Sequence, residues 1–186
     1  NTPLSVDMLL SYLEHLHRDD IVDIIHKAQE CDEEARQVFI SYQWDSQDEV
    51  SLLRDQLEKA GFTCWMDIGQ MGGGDHLYAR IDEGIRNAKV VVACVSPKYV
   101  ASHHCHKEMG LADLLRKPIL PIMYERVPWP PQGAMALVFA SLCYIDMKGV
   151  GGHGGSGIHA DLQSKYQEII QRISNFASPL SQPPAE

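Results

Sequence analysis

The chain has 186 residues, of which 45% are hydrophobic, and a formal net charge of −9 at pH 7. A chain of this size can bury a core of its own as one domain, and none of its apolar runs approaches the roughly 18 residues of a membrane-spanning helix. No segment supplies the basic face of a nucleic-acid-binding protein, so we expect neither a nucleic-acid partner nor a membrane span in this chain.

The negative charge is concentrated at the amino-terminal end. Residues 1–35 contain nine acidic and two basic residues, whereas the rest of the chain is nearly balanced. Residues 5–30 also carry leucine and isoleucine stripes at helical spacing. Two interpretations stay open for this segment: a helical extension packed on the main domain, or the end of a separate upstream helical domain.

The five cysteines are an odd number, which argues against a complete disulfide framework. Two of them, Cys64 and Cys94, lie inside apolar runs of the sequence. Reduced thiols fit this pattern better than disulfides do, so we expect a cytoplasmic protein.

The first strand of the main domain is predicted at residues 37–42. This stretch is apolar, rich in β-branched and aromatic residues, and too short for a helix. Polar residues follow it at once, which is typical of a parallel strand that is buried on both faces. Because open parallel sheets bind ligands just beyond the carboxyl ends of their strands, we place a binding crevice beside Ser41 to Asp45.

Strands and helices alternate through the rest of the chain. Further strands are predicted at 62–66, 90–95, 119–123 and 142–146, and helices at 48–60, 77–87, 103–116, 134–140 and 161–176. Such alternation implies right-handed crossovers and helices on both faces of a parallel sheet. Five strands with a central first strand predict a flavodoxin-like α/β fold of order 2-1-3-4-5. We assign residues 36–177 to this domain and 178–186 to a disordered tail.

Short motifs at the strand ends are more specific than the alternation itself. They are Phe39–Tyr42 followed by Asp45, Cys64–Asp67, Ser96–Tyr99, Cys105–Glu108, Lys117–Ile122 and Trp129–Pro130. Each motif alone is a weak signal, but in this order they closely resemble the Toll/interleukin-1 receptor (TIR) domain. The resemblance covers about residues 36–176, and the fold of that family agrees with the sheet predicted from the alternation.

The resemblance implies one of two functions. Some TIR domains hydrolyse NAD⁺ and carry a glutamate in the third helix, and Glu108 occupies that place. The resemblance therefore implies an NAD⁺ nucleohydrolase that releases nicotinamide and ADP-ribose, or a cyclic form, on self-association in innate-immune or cell-death signalling. The alternative is a non-catalytic scaffold that assembles with other TIR domains. NAD⁺ would be the substrate, and no further cofactor is implied.

Glu108 has a chemical rationale beside the resemblance. Loss of nicotinamide from NAD⁺ leaves an oxocarbenium-like ribose, as in glycoside cleavage. A carboxylate beside that ribose stabilises the developing positive charge, and nicotinamide leaves without a strong general acid because it already carries a positive charge. The alternative is that Glu108 is a solvated acid in the first turn of a helix, where the helix dipole favours it.

A further group of residues is predicted to contact the substrate: Ser41, Gln43, Trp44, Asp45, Gly74, Leu77 and His104. Trp44 offers a stacking face for an adenine or nicotinamide ring, the alternative being an ordinary surface-packed aromatic residue. His104 lies where an enzymatic relative has a tryptophan. Enzymatic members of the family often use arginines after the first strand, and this chain has none there.

The glycine-rich loop after the second strand is predicted to move over the crevice or to contact a neighbouring copy. The assembly residues of this loop are Gly69, Met71, Gly72, Gly73 and Asp75. The loop is not a phosphate-binding P-loop, because Asp75 and His76 stand where that motif requires lysine and serine or threonine. The run from His103 to His106 resembles a metal-binding cluster, but no second ligand pair has zinc-like spacing, so we expect no metal.

Overall fold

The computed structural model describes residues 37–66, 75–147 and 156–180. The chain divides into two units, Asn1–Ala35 and Arg36–Glu186, and every described residue belongs to the second unit. The predicted helical extension over 1–35 lies outside the described residues and stays a prediction.

A parallel sheet forms the centre of the domain. Its strands are β1 (Val38–Ser41), β2 (Cys64–Met66), β3 (Val90–Val95), β4 (Ile119–Met123) and β5 (Ile145–Asp146). The strand order is β2-β1-β3-β4-β5 and every pairing is parallel, which confirms the predicted flavodoxin-like fold. In this order β1 is an interior strand, hydrogen-bonded to β2 on one side and to β3 on the other.

Three strands are shorter than the sequence pattern predicts: β1 covers 38–41 of the predicted 37–42, and β2 and β5 begin late. The predicted strand at 62–66 begins at Cys64, and the predicted strand at 142–146 begins at Ile145. Before β2 and β5, a backbone amide that was predicted to belong to the strand donates to the preceding helix instead. The amide of Phe62 donates to the Leu57 carbonyl, and the amide of Leu142 donates to the Phe139 carbonyl. The apolar residues before each strand therefore close a helix end instead of extending the sheet.

Six α-helices connect and cover the strands. They are α1 (Gln47–Lys59), α2 (Asp75–Asn87), α3 (Pro97–Ala101), α4 (His103–Leu114), α5 (Ala134–Phe139) and α6 (Ser156–Ile173), within the described ranges. Helix α3 was not predicted from the sequence, and α6 begins at Ser156, five residues before the predicted start at residue 161. None of the described helices is long and apolar enough to cross a membrane.

Alternating side chains of β1 divide the core into two halves. Val38 and Ile40 pack with α1 and α6, whereas Phe39 packs on the opposite face with α2, α4 and α5. The next residue on the side of Phe39 is Ser41, at the carboxyl end of the strand, because successive side chains point to opposite faces. The packing pattern of β1 therefore directs the Ser41 hydroxyl toward the face that α4 covers.

The carboxyl-terminal segment returns to the amino end of the sheet. The Gln37 side-chain Nε2 donates to the Ser178 carbonyl at 2.7 Å, and the Leu180 amide donates to the Gly61 carbonyl at 2.8 Å. Ser178 and Leu180, which the sequence analysis assigned to a disordered tail, are thus bonded to the domain. Residues 181–186 lie outside the described ranges.

The contact between α2 and the sheet leads to a stability prediction. Phe39 and Trp65 stack with ring centroids 4.6 Å apart, and a Cβ placed on Gly84 of α2 would lie 3.1 Å from both rings. Gly84→Val should lower the free energy of unfolding by about 1–3 kcal/mol, because two packed rings must move. Chemical denaturation measures this change.

Gly110 in α4 is the matched control for this substitution. A Cβ at Gly110 meets no atom within 4 Å, so Gly110→Val should change the free energy of unfolding by no more than about 0.5 kcal/mol. Equal losses in the two variants would show that the contact with the rings does not decide the outcome.

Candidate active site

Glu108 lies on the inner face of α4. The helix begins at His103 after Ser102, whose Oγ accepts from the Cys105 amide at 3.4 Å. Cys105 and Met109 are buried on this face, and Glu108 is partly buried beside them. Glu108 is the sixth residue of the helix, and the first turn contains no acid, so the alternative interpretation of a solvated first-turn carboxylate is wrong.

The end of β1 holds the Glu108 carboxylate. Ser41 Oγ donates to Glu108 Oε2 at 2.5 Å, a length typical of a charge-assisted hydroxyl–carboxylate bond. The Ser41 residue is only 1% exposed, so its hydroxyl lies behind the carboxylate and not on open surface. A direct contact between Ser41 and a substrate stays a prediction.

A cleft of about 240 Å³ opens beside Glu108 at the carboxyl ends of the strands. The structure brings four of the predicted site residues together on its walls. The lining includes Gln43, Trp44, Ile81, His104, Cys105 and Glu108. The volume is below the ~300–1,000 Å³ typical of pockets that enclose a drug-sized ligand.

A short 3-10 turn, Trp44–Ser46, forms one wall of the cleft. Gln43 caps it, with its side-chain oxygen accepting from the Asp45 amide at 2.8 Å. Trp44 is 59% exposed, which leaves a ring face available and argues against an ordinary packed aromatic residue. Asp45 forms an exposed ion pair with Lys98 of α3. Lys98 belongs to the Ser96–Tyr99 motif, but that motif alone does not predict a cation at this rim.

A second, smaller cavity of about 90 Å³ lies between α2 and α4. Glu108, His104 and Ile81 line both cavities and so separate them. Tyr78 of α2 holds His104 in this position, with its hydroxyl 3.1 Å from His104 Nδ1 and the two ring centroids 5.8 Å apart. Lys107 Nζ lies 5.0 Å from the centre of the Tyr78 ring. Tyr78 was not predicted as a site residue, because nothing in the local sequence pattern distinguishes it from other exposed helix residues.

The remaining predicted residues fall at the edge of the described ranges. Asp75 and Leu77 lie in α2, but their side chains are outside the description. Gly69, Met71, Gly72, Gly73 and Gly74 precede α2 and are also outside it. The roles of this loop in covering the crevice and in assembly therefore stay predictions.

Side chains of the run from His103 to His106, at the start of α4, form hydrogen bonds within the protein. His106 Nε2 lies 2.6 Å from the Val100 carbonyl and ties α4 to α3. The Cys105 Sγ donates to the Tyr42 carbonyl at 3.7 Å, and burial together with the nearby Glu108 carboxylate raises the pKa of this thiol to about 12. Among the described residues, no group of three or more histidine, cysteine or acidic side chains is placed to hold a metal ion.

The buried thiols predict a loss of stability at alkaline pH. In the unfolded chain the Cys105 thiol ionises near pH 8.5, whereas in the folded protein its pKa is raised to about 12. The folded state retains the proton. The free energy of unfolding is therefore unaffected by this thiol below about pH 8.5, and it falls as the pH rises toward the pKa of the folded state. Urea denaturation between pH 7 and pH 10.5 should show this decline.

Cys105→Ala provides the control for that decline. This variant should lose stability less steeply with pH, because one of the buried thiols is gone, while Cys64, whose pKa burial also raises to about 12, remains. Identical slopes in the two proteins would contradict the contribution of Cys105.

Solved structures with a similar fold include two TIR-containing receptors. The TIR domain of the Toll-related receptor TRR-2 from Hydra magnipapillata is 20% identical, with a TM-score of 0.55 over 74% of this chain and 98% of that one. A metazoan TIR-STING receptor from C. gigas, in complex with 2′,3′-cGAMP, is 21% identical, with a TM-score of 0.57 over 76% of this chain and 40% of that one. At this level of identity the similarity shows the fold alone.

A curated relative and a family model extend the comparison to the sequence. The chain is 40% identical over 77 residues to the probable 2′ cyclic ADP-D-ribose synthase BdTIR from Brachypodium distachyon, which is 41% of this chain and 34% of that protein. The chain thus spans about a third of the length of that relative. The family model of the TIR domain matches residues 38–158, from β1 into α6. The chain therefore belongs to the TIR domain family.

Proposed function

We propose that this domain is an NAD⁺ nucleohydrolase that acts in cytoplasmic innate-immune or cell-death signalling. The observation that carries the proposal is the Glu108 carboxylate, which the Ser41 hydroxyl holds at the wall of the cleft. A relative whose name describes a probable 2′ cyclic ADP-D-ribose synthase supports the same substrate, because NAD⁺ contains the ADP-ribose unit of that product.

The proposed reaction begins when the bond between ribose C1′ and the nicotinamide nitrogen breaks. The bonding electron pair leaves with nicotinamide, which becomes neutral, and the ribose becomes an oxocarbenium-like cation. The partly buried Glu108 carboxylate stabilises this cation more strongly than it would in bulk water. Water then adds to C1′ and releases a proton, giving ADP-ribose. Attack by a hydroxyl of the same molecule would give a cyclic product instead.

The other cleft residues supply binding surfaces in this proposal. The exposed ring of Trp44 stacks on one of the two bases of NAD⁺. His104, held by Tyr78, contacts the substrate from the opposite helix. These contacts position the ribose beside the carboxylate, which is the contribution that orientation makes to catalysis.

Glu108→Gln tests the proposal. This change keeps the shape of the side chain and removes its charge, so nicotinamide release from NAD⁺ should fall by about 10²-fold or more. Chromatography of the reaction mixture measures release, and thermal unfolding checks that the variant is folded. Glu83→Gln, on the exposed face of α2, is the matched control and should retain turnover. Undiminished turnover in Glu108→Gln would remove Glu108 from the mechanism.

The scaffold alternative also has an observation in its favour. The rim of the cleft after β1 carries Gln43, Trp44 and Asp45 and no arginine, and Asp45 is already paired with Lys98. A domain that assembles with other TIR domains and releases no nicotinamide at high protein concentration would support this second function. The same assay therefore separates the two candidates.

We further propose that catalysis needs self-association. The cleft is open and Trp44 at its rim is 59% exposed, so water competes with the groups that would hold NAD⁺. A second copy packed over this rim would exclude water and strengthen the field of Glu108 on the ribose. Turnover per mole of enzyme should therefore rise with protein concentration in a dilution series followed by light scattering.

Residues 1–35 provide a second arm of the dilution experiment. They carry nine acidic against two basic residues, and like charges repel over about 10 Å at 0.1 M salt. Removing this segment should lower the concentration at which turnover rises, most clearly at low salt. Constant turnover per mole in a sample shown to be monomeric would mean that one chain builds the complete site.

A further inference from the structure

We propose that Tyr99 is a positioning residue for Glu108 and acts through Ser41. The Tyr99 hydroxyl lies 2.8 Å from Ser41 Oγ, and Ser41 Oγ lies 2.5 Å from Glu108 Oε2. Tyr99 is 0% and Ser41 1% exposed, so neither hydroxyl exchanges this bond for one with solvent. A role in nicotinamide release rests on the proposed function, whereas the effect on the carboxylate itself does not.

The direction of the two hydrogen bonds follows from counting protons. An ionised carboxylate only accepts, so Ser41 donates its single hydrogen to Glu108. The Ser41 oxygen must then accept from Tyr99, whose hydroxyl is the donor. Both bonds point toward the carboxylate, and each strengthens the other by polarisation. Burial raises the pKa of Tyr99 well above its ordinary value, so the phenol stays protonated at any working pH.

The short helix α3 is what brings Tyr99 to this place. Ser96 Oγ accepts from the Tyr99 amide at 3.2 Å, and Pro97 occupies the first helical position. Both features favour helix formation at this point. The Tyr99 ring packs in the half of the core that α2, α4 and α5 cover, so the phenol is fixed before a substrate arrives.

Tyr99 is not among the described residues that line either cavity. It therefore acts on the charge and orientation of Glu108 and not on substrate affinity. Tyr99→Phe should lower kcat about three- to ten-fold, which corresponds to the loss of one neutral hydrogen bond, and should leave KM within about two-fold. The acid limb of the kcat–pH profile should move to higher pH, because the carboxylate is stabilised less.

Other titratable or charged side chains face Glu108 and can also affect the pH profile of kcat. These are Tyr78 and Asp82 from α2, His104, Cys105 and Lys107 from α4, and Tyr99 itself from α3. Of these side chains only Tyr99 changes in the variant, so a shift between the wild-type and Tyr99→Phe profiles belongs to the bond that was removed. The imidazole of His104 is unchanged in the variant, so it contributes equally to both profiles.

A double-mutant cycle tests whether Tyr99 acts through Ser41. Ser41→Ala should lower kcat at least as much as Tyr99→Phe, and the double variant should be no slower than Ser41→Ala. Tyr166→Phe, which removes the hydroxyl of a buried tyrosine from α6 on the opposite face of the sheet, is the control and should change neither kcat nor its pH profile. Additive losses in the double variant would overturn the relay.

The carboxylate can also be followed without turnover. In protein labelled with ¹³C-glutamate, NMR titration in the absence of NAD⁺ should give a higher midpoint for Glu108 in Tyr99→Phe than in the wild type. Placing 3-fluorotyrosine at position 99, which makes the phenol a stronger donor, should move the midpoint the opposite way. Unchanged midpoints in both variants would overturn the inference, even if the wild type cleaves NAD⁺. A wild type that cleaves no NAD⁺ but shows both shifts would refute the proposed function and leave the inference standing.

Discussion

The interior strand β1 must be buried on both faces, and the rest of the domain is arranged around that constraint. Val38 and Ile40 require the cover of α1 and α6, and Phe39 requires the cover of α2, α4 and α5. Ser41 is the last residue of the strand and is also buried, so its hydroxyl needs a hydrogen-bond partner other than bulk water. Glu108 and Tyr99 provide the two partners. The candidate site is thus a continuation of core packing, in which the last buried position of the strand is polar.

The two cavities beside Glu108 are lined by different parts of the fold. The larger one is bounded by the backbone turn after β1, so its shape depends on the cap that Gln43 makes. Among the described residues, the smaller one is lined by side chains of α2 and α4, and the contact between Tyr78 and His104 lies in its wall. Substitutions among these helix side chains can therefore change the smaller cavity without disturbing the sheet.

Much of the fold could be predicted because its signals are local. β3 and β4 lie within the predicted bounds, and α4 begins at His103 after its serine cap, because apolar runs and caps depend on neighbouring residues. The site was predictable only in part. Ser41 and Glu108 are 67 positions apart in sequence, and no periodicity shows that their side chains meet. Tyr99 was missed for a related reason, since Ser96 and Pro97 also fit the end of a strand, and only the structure shows the helical turn that follows.

The hydrogen bond between Gln37 and Ser178 brings the two ends of the domain together. Gln37 precedes β1, so this bond lies at the amino end of the sheet, whereas the cleft lies at the carboxyl ends of the strands. A domain whose ends meet in this way can be inserted into a longer chain, or joined end to end and reopened elsewhere, with little change to its interior. The cleft face is then left clear of covalent connections. In a polymer of such domains, the tethers and the reactive surfaces would occupy opposite poles of each unit.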